Sequence, residues 1–239
     1  MSGHSHAKTV AATKNANNAK KGKIFSKMGR VITIAVKEKG SDASVNPTLK
    51  GLIEKAKEFN MPKENIERAI KKGTGELVGE NLEEVSFEGF GPGGIALIIE
   101  GITDNKNRTL GEVKTILGKF EGKLAGEGAV KWMFEKKGVI IVSTQGKSTG
   151  DLELLAIDCD AQDFLFKNDF LYIYTRPENF EDIKNILREK SIAIESSDIE
   201  LVANKEISLD AKNKEKAEKL FDALNENDAV QNIYSNLGN

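Results

Sequence analysis

Apolar residues recur along the first third of the chain at the spacing of helix faces. Between residues 20 and 40 they recur every three or four positions, which predicts one long amphipathic helix. Asn46-Pro47 predicts an N-cap followed by proline in the first turn of a second helix. Met61-Pro62 predicts the start of a third helix, which ends at Gly73. The apolar face of the first helix consists of Ile24, Phe25, Met28, Val31, Ile32 and Ala35.

Strand patterns alternate with helix patterns from residue 85 onward. Residues 138–204 follow the order βαββαβ. If this stretch is left out, the elements before it and after it also give the order βαββαβ, with predicted strands at 129–134 and 205–209. We therefore predict an α+β fold: an N-terminal three-helix domain followed by two ferredoxin-like βαββαβ units, the second inserted in the first. The predicted domains are a basic helical domain (1–79), an α/β domain (80–137 plus 205–239) and an inserted acidic α/β domain (138–204).

Basic residues are concentrated at the N-terminal end. Residues 1–37 contain seven Lys, one Arg and two His, but no Asp or Glu. Residues 1–75 contain 16 basic and 6 acidic side chains, whereas the remaining residues contain 19 basic and 31 acidic ones. The net charge of −2 therefore combines a basic head with an acidic body. Such asymmetry indicates a nucleic acid or another polyanion as partner of the head.

The cations of the first predicted helix fall on the side opposite its apolar face. One face can therefore pack on protein while the other binds a phosphate backbone. A solvated charged face is the alternative interpretation. The predicted nucleic-acid-binding residues are Lys8, Lys14, Lys20, Lys21, Lys23, Lys27, Arg30 and Lys37.

Motifs for catalysis and cofactor binding are weak. GFGPGG at residues 89–94 has the spacing G-x-G-x-x-G, but a strand follows where the dinucleotide fingerprint needs a helix. We interpret it as a glycine-rich turn. No His lies beyond residue 6, and no Ser or Cys has a recognisable base partner. The single cysteine, Cys159, fits a reducing compartment. We expect a cytoplasmic protein that is not an enzyme and has no cofactor, metal, small-molecule substrate or membrane partner.

Several stretches resemble the YebC family. They are KKGKIFSKMGRVITIA, NMPKENIERAIKKGTGE, FEGFGPGGIALIIEGITDNKNRTLGEVK and GAVKWMFEKKG. The resemblance covers nearly the whole chain and implies a three-domain α/β protein without enzymatic activity. Members are described as probable transcriptional regulators that bind DNA, or as ribosome-associated translation factors, including the mitochondrial translational activator of cytochrome c oxidase subunit I. Where the family often has a Trp and denser basic residues, this chain has HAKTVAATK at residues 6–14. We therefore expect its N-terminal tail to bind nucleic acid less tightly.

Three functional hypotheses remain open. The first is a non-enzymatic nucleic-acid-binding regulator of gene expression that acts on DNA. Ribosomal RNA suits phosphate and shape contacts as well as DNA does, so a ribosome-associated translation factor that relieves stalling is the alternative. The second is a protein-binding adaptor whose acidic body docks on a partner. The third is an enzyme that uses the GFGPGG turn to hold a nucleotide.

Overall fold

Three helices open the described part of the chain. The computed structural model describes residues 18–238, with side chains from residue 21 onward. The helices are α1 (Asn18–Lys39), α2 (Pro47–Glu58) and α3 (Lys63–Thr74). The predicted start of α2 is confirmed, since the Asn46 side chain accepts a hydrogen bond from the Leu49 N–H at 3.0 Å. The shared core of the three helices contains Met28, Ile32, Val36, Leu49, Ala56, Met61, Ile66 and Ala69.

The third helix ends later than predicted. Gly73 lies inside α3, and Gly75 ends the helix in the left-handed conformation, with a φ of 82°. Gly73 has a packing role instead. A Cβ at Gly73 would lie 2.6 Å from the Val36 Cβ and 2.8 Å from the Thr33 carbonyl oxygen. The absence of a side chain therefore allows α3 to approach α1 closely.

Two four-stranded antiparallel sheets follow the helices. Their strand orders are β3-β1-β2-β8 and β5-β6-β4-β7, so the predicted α+β fold class is confirmed. The strands are β1 (Glu83–Phe90), β2 (Ala96–Thr103), β3 (Lys123–Leu124), β4 (Phe134–Ser143), β5 (Asp163–Lys167), β6 (Phe170–Thr175), β7 (Ile194–Ala203) and β8 (Val230–Ser235). The helices between them are α4 (Lys106–Lys119), α5 (Thr149–Asp158), α6 (Phe180–Glu189) and α7 (Ala211–Asn225).

The inserted unit has the predicted connectivity β4-α5-β5-β6-α6-β7. Numbered within this unit, the strands lie in the order second, third, first, fourth. Its hairpin turns at Asn168, which adopts a φ of 51°. Helices α5 and α6 cover one face of the sheet, where the core contains Ile140, Val142, Leu152, Leu171, Ile173 and Ile183.

The first sheet departs from the prediction in two strands. Residues 129–134, predicted as a strand, contain a 3-10 turn over Lys131–Met133. Residues 205–209, also predicted as a strand, contribute a single bridge between Ile207 and Leu237. Strand β1, which the sequence pattern does not single out, takes the place of the unit's third strand. A tight turn joins β1 to β2, and the two strands pair through eight residues each. A local hairpin therefore replaces the pairing between remote strands that a ferredoxin-like unit has at this position.

The outer faces of the two sheets meet in a further core. Ala96, Ile98 and Tyr234 of the first sheet pack with Phe134 and Leu201 of the second. The two α/β units are therefore joined by apolar contacts as well as by the chain. No helix in the described part of the chain combines the length and the apolarity that a membrane span requires.

Candidate nucleic-acid interface

Helix α1 is covered on two opposite faces. One face carries Phe25, Met28 and Ile32, which pack on α2 and α3 as predicted, whereas Val31 of the predicted apolar face packs towards the first α/β unit. The other carries Lys23, Lys27, Arg30 and Lys37, which recur three, four and seven residues apart around Ile34. We call these four cations the cationic stripe. They share one helix face, as predicted, but that face lies against the first α/β unit.

The N-terminal half of the cationic stripe contacts the end of α7. Lys23 Nζ donates to the Glu226 carbonyl oxygen at 2.8 Å and forms an ion pair with the Glu226 carboxylate. Lys27 Nζ donates to the Asn225 carbonyl oxygen at 2.9 Å. The last carbonyl groups of a helix lack partners within it and carry the negative end of its dipole. The two lysines therefore stabilise the C-terminal end of α7.

The C-terminal half of the cationic stripe contacts the first sheet and the segment that leads into it. Arg30 donates a hydrogen bond from Nη1 to the Ile102 carbonyl oxygen at 2.9 Å, and its Nη2 lies 3.9 Å from the Glu80 carboxylate. Lys37 Nζ donates to Asn81 Oδ1 at 3.0 Å. Both cations are thus held by groups outside the helical domain.

Ile34 lies at the centre of the cationic stripe and is 7% exposed. It packs on Leu82 and Ile102, so the face has an apolar centre flanked by cations. The sequence predicts that this face binds a phosphate backbone, whereas in the structure the body contacts all four of its cations. An apolar residue in the middle of the stripe is the signal in the sequence that could have shown this. Nucleic-acid binding by these residues stays a prediction for a state in which α1 leaves the body.

Lys27 carries an electrostatic cost in the docked arrangement. Burial, followed by the nearby charge of Lys23, lowers its pKa from 10.5 to about 8. Asp228 and Glu226 act in the opposite direction with smaller effect. Lys27 therefore remains charged at neutral pH, and its charged form is less stable there than it would be in solvent.

The remaining predicted residues lie before the cationic stripe. Lys21 is exposed at the start of α1, whereas Lys8, Lys14 and the side chain of Lys20 lie outside the described residues. The helical domain also exposes cations that the prediction did not include. They are Lys39, Lys50, Lys57, Lys63, Arg68, Lys71 and Lys72.

The GFGPGG segment forms the turn between β1 and β2, as predicted. The Gly91 N–H donates to the Ile95 carbonyl oxygen at 2.8 Å, and β2 follows directly. An open hollow of about 500 Å³ lies beside this turn, with Glu121 and Lys123 in its lining. Glu121 pairs with Lys216 and Lys123 lies over an aromatic ring, so both charged groups are already engaged.

Two models of one protein family together match most of the chain. The family model described as "TACO1/YebC protein N-terminal domain" matches residues 5–76. The model described as "TACO1/YebC second and third domain" matches residues 82–237. The chain belongs to the TACO1/YebC family. The sequence resemblance to YebC proteins is thereby confirmed.

TACO1/YebC relatives match this chain from end to end. A probable transcriptional regulatory protein of Thermoanaerobacter pseudethanolicus is 46% identical over 238 residues, which cover 99% of this chain and 97% of that protein. A protein of the same name from Geobacter sulfurreducens is 44% identical over 239 residues, covering 99% and 95%. The crystal structure of a conserved hypothetical protein of Aquifex aeolicus has a TM-score of 0.83 at 40% identity, over 92% of this chain and 91% of the other. This similarity supports the same α+β architecture.

Proposed function

We propose that this TACO1/YebC protein is a non-enzymatic nucleic-acid-binding regulator of gene expression. The observation that carries the proposal is the segregation of charge, with eight basic residues and no acidic residue before position 38. Exposed Lys50 and Arg68 extend the basic surface onto α2 and α3. Such a surface attracts a polyanion through counterion release, whereas the acidic body repels it. The names of the relatives, probable transcriptional regulatory proteins, support the regulatory role.

The proposed contacts form two sets. The first set, which we call the leading cations, comprises Lys8, Lys14, Lys20 and Lys21. The second set is the cationic stripe, which α7 and the first sheet occupy. The leading cations bind a phosphate backbone first, and the stripe takes part only where the polyanion displaces the body.

Because two opposite faces of α1 are covered, we expect this protein to recognise the phosphates and the shape of a nucleic acid rather than the edges of its bases. A recognition helix must present a free face to the major groove. In α1, one face packs on α2 and α3 and the opposite face packs on the first α/β unit. Structured RNA therefore suits this protein as well as duplex DNA does. A ribosome-associated translation factor is the second candidate function, and it rests on this observation.

A binding titration of the full chain at several salt concentrations tests the proposal. With about four phosphates neutralised on duplex DNA, the slope of log affinity against log salt should be roughly −3.6. Reversing the leading cations to Glu should weaken binding and flatten the slope. A matched control reverses four exposed lysines of the body, Lys106, Lys114, Lys119 and Lys212, to Glu. A slope near zero, or equal loss in both variants, contradicts the proposal.

Ribosome-gradient sedimentation separates the two candidate functions. Co-sedimentation with ribosomes, together with equal affinity for unrelated DNA sequences, assigns the protein to translation. Preference for one DNA sequence and no co-sedimentation assigns it to transcription. An adaptor that binds only protein would instead retain its partner after nuclease treatment and at high salt.

A further inference from the structure

The chain's single tryptophan lies on a surface turn. Trp132 is 72% exposed, and it alone is exposed among the aromatic residues that the structure describes. Exposure of one aromatic ring is not unusual by itself. The turn that carries Trp132, however, is held in place from two sides, and the ring has a specific environment.

A buried carboxylate holds the turn from beneath. Glu88 on β1 is 7% exposed and accepts hydrogen bonds from the backbone N–H groups of Gly128 and Val130 at 2.7 Å and of Lys131 at 3.0 Å. Hydrogen bonds to a carboxylate are stronger than those between neutral groups. The backbone immediately before Trp132 is therefore well ordered.

A second contact holds the turn from the side. Asn204 donates from Nδ2 to the Trp132 carbonyl oxygen at 3.2 Å, and the Asn204 N–H donates to the Met133 carbonyl oxygen at 2.9 Å. The indole N–H of Trp132 donates to the Ala129 carbonyl oxygen at 3.1 Å. This is the only hydrogen-bond donor of the indole. What the side chain offers to a partner is consequently its flat aromatic face.

The surroundings of Trp132 are small or polar. The exposed residues next to it in the two contacting segments are Gly126, Glu127, Gly128, Ala129, Lys131, Asn204 and Lys205. An aromatic anchor for a protein partner usually lies in an apolar patch that excludes water. A lone aromatic ring beside lysines is instead typical of surfaces on which nucleic-acid bases stack. The same two segments also carry the exposed acidic residues Glu127 and Glu206, so the local charge is mixed and we expect stacking to supply most of the affinity at this point.

We propose that Trp132 is a stacking platform for an unpaired nucleobase. The proposal rests on the proposed nucleic-acid function and specifies its ligand: a single strand, loop or bulge. A base within an intact duplex has both faces covered by its neighbours and cannot stack on an external ring. In this proposal Lys131 and Lys205, which are exposed in the two segments beside the ring, are the cations assigned to the flanking phosphates, with a smaller contribution than the stacked base.

Intrinsic fluorescence measures this contact directly, because Trp132 is the only tryptophan. The full chain is titrated with an end-labelled single-stranded RNA, a DNA strand of the same sequence, and the DNA duplex. Label anisotropy reports binding, and tryptophan emission reports stacking. Single strands should quench the emission with the midpoint seen by anisotropy, whereas the duplex should bind with little quenching. Comparison of the RNA and DNA strands identifies which nucleic acid supplies the base.

Two variants at Trp132 test whether the aromatic ring itself supplies the affinity. Trp132→Ala should lower the affinity for the single strand about tenfold, as expected for the loss of one stacked base. Duplex affinity should change less than twofold, and Trp132→Phe should retain most single-strand affinity. Leu154→Ala, at another exposed apolar residue, is the matched control and should change neither affinity. Circular dichroism confirms that each variant folds.

The outcomes distinguish this inference from the function on which it rests. Single-strand binding with unchanged tryptophan emission, or equal affinity in Trp132→Ala, overturns the platform and leaves the proposed function intact. Absence of binding to every nucleic acid overturns both. A protein partner that shields Trp132 in nuclease-treated samples, with no quenching by oligonucleotides, overturns the platform in favour of a protein interface.

Discussion

Glu88 shows how one buried carboxylate shapes a turn. Burial by itself raises the pKa of a carboxylate, but the N–H groups of Val130, Gly128 and Lys131 stabilise the ionised form. Together with the nearby Lys131 charge, they hold the pKa of Glu88 below its usual value of 4.5. The ionised side chain therefore contributes to the stability of the fold, through the same contacts that order the Trp132 turn.

Glu88→Gln should lower the free energy of unfolding by about 2 kcal/mol at pH 7, because an amide NH₂ would face backbone N–H groups. The folded pKa of Glu88 lies below the unfolded one. Its contribution is therefore present above pH 4.5 and is lost as the pH falls through the folded value. Urea unfolding of wild type and variant at pH 7 and at pH 3.5 tests this. A difference in stability that is the same at both pH values contradicts the assignment.

The lowered pKa of Lys27 predicts how the free energy of unfolding changes with pH in the alkaline range. Its folded pKa of about 8 lies below the usual 10.5, because of burial first and Lys23 second. Between these values the unfolded chain binds more protons, so the contribution of Lys27 to stability rises with pH. Lys27→Met should flatten the dependence of the unfolding free energy on pH between 8 and 10.5. Lys21→Met, at an exposed lysine of the same helix, is the control for the removal of one positive charge.

Helix α1 shows what a local pattern determines and what it does not. The spacing of apolar residues predicts the helix, the face that packs on α2 and α3, and the common face of the cations. The groups that cover this second face are remote in sequence: Ile102 is 72 positions from Arg30, and Glu226 is 203 positions from Lys23. No periodicity encodes such pairs. Ile34 was the one local hint, since a solvated cationic face has no need of an isoleucine at its centre.

The strand predictions in the first sheet failed for a related reason. Residues 129–134 are apolar enough for a strand, but Glu88 takes the N–H groups of Val130 and Lys131 that a strand would offer to a neighbour. The strand predicted over residues 129–134 therefore gave no indication that Trp132 is exposed. In the inserted unit, by contrast, clear turn residues such as Asn168 and Asp169 mark the hairpin, and the predicted connectivity is confirmed, although β4 begins at Phe134, earlier than the predicted boundary at residue 138.

The close approach of α1 and α3 yields a prediction with a matched control. Gly73→Ala should lower the free energy of unfolding by about 2 kcal/mol, because the added Cβ meets Val36 and the Thr33 backbone, which cannot move independently. Gly51 is also helical, but a Cβ there meets nothing within 4 Å. Gly51→Ala should therefore raise the stability by about 0.5–1 kcal/mol. Thermal or urea unfolding measures both, and equal effects of the same sign contradict the packing role.

In the whole molecule, the basic head docks on the acidic body through its own cations. The cationic stripe binds the end of α7 and the first sheet, and Lys55 on α2 pairs with Asp198 on β7 at 2.7 Å. The helical domain therefore contacts both α/β units. A phosphate backbone that reaches the stripe must compete with these contacts, so docking of the domain and binding of nucleic acid are coupled in the proposed function.

Ile34→Ala tests that competition without changing any charge. The substitution removes apolar contact with Leu82 and Ile102 and should weaken docking of the stripe. If the stripe joins the leading cations in binding, affinity for nucleic acid should rise. The salt slope should also steepen by about 0.9 for each additional phosphate contact on duplex DNA, or about 0.7 on a single strand.

Leu155→Ala is the control for Ile34→Ala, because both side chains are 7% exposed but Leu155 packs in the inserted unit, away from the stripe. It should destabilise the protein without changing affinity or slope. If Ile34→Ala also leaves the slope unchanged, the stripe is purely a docking surface and the leading cations make the phosphate contacts alone. A rise in affinity with both variants would trace the effect to general loosening of the fold. Only a rise specific to Ile34→Ala supports competition between the body and nucleic acid for the same four cations.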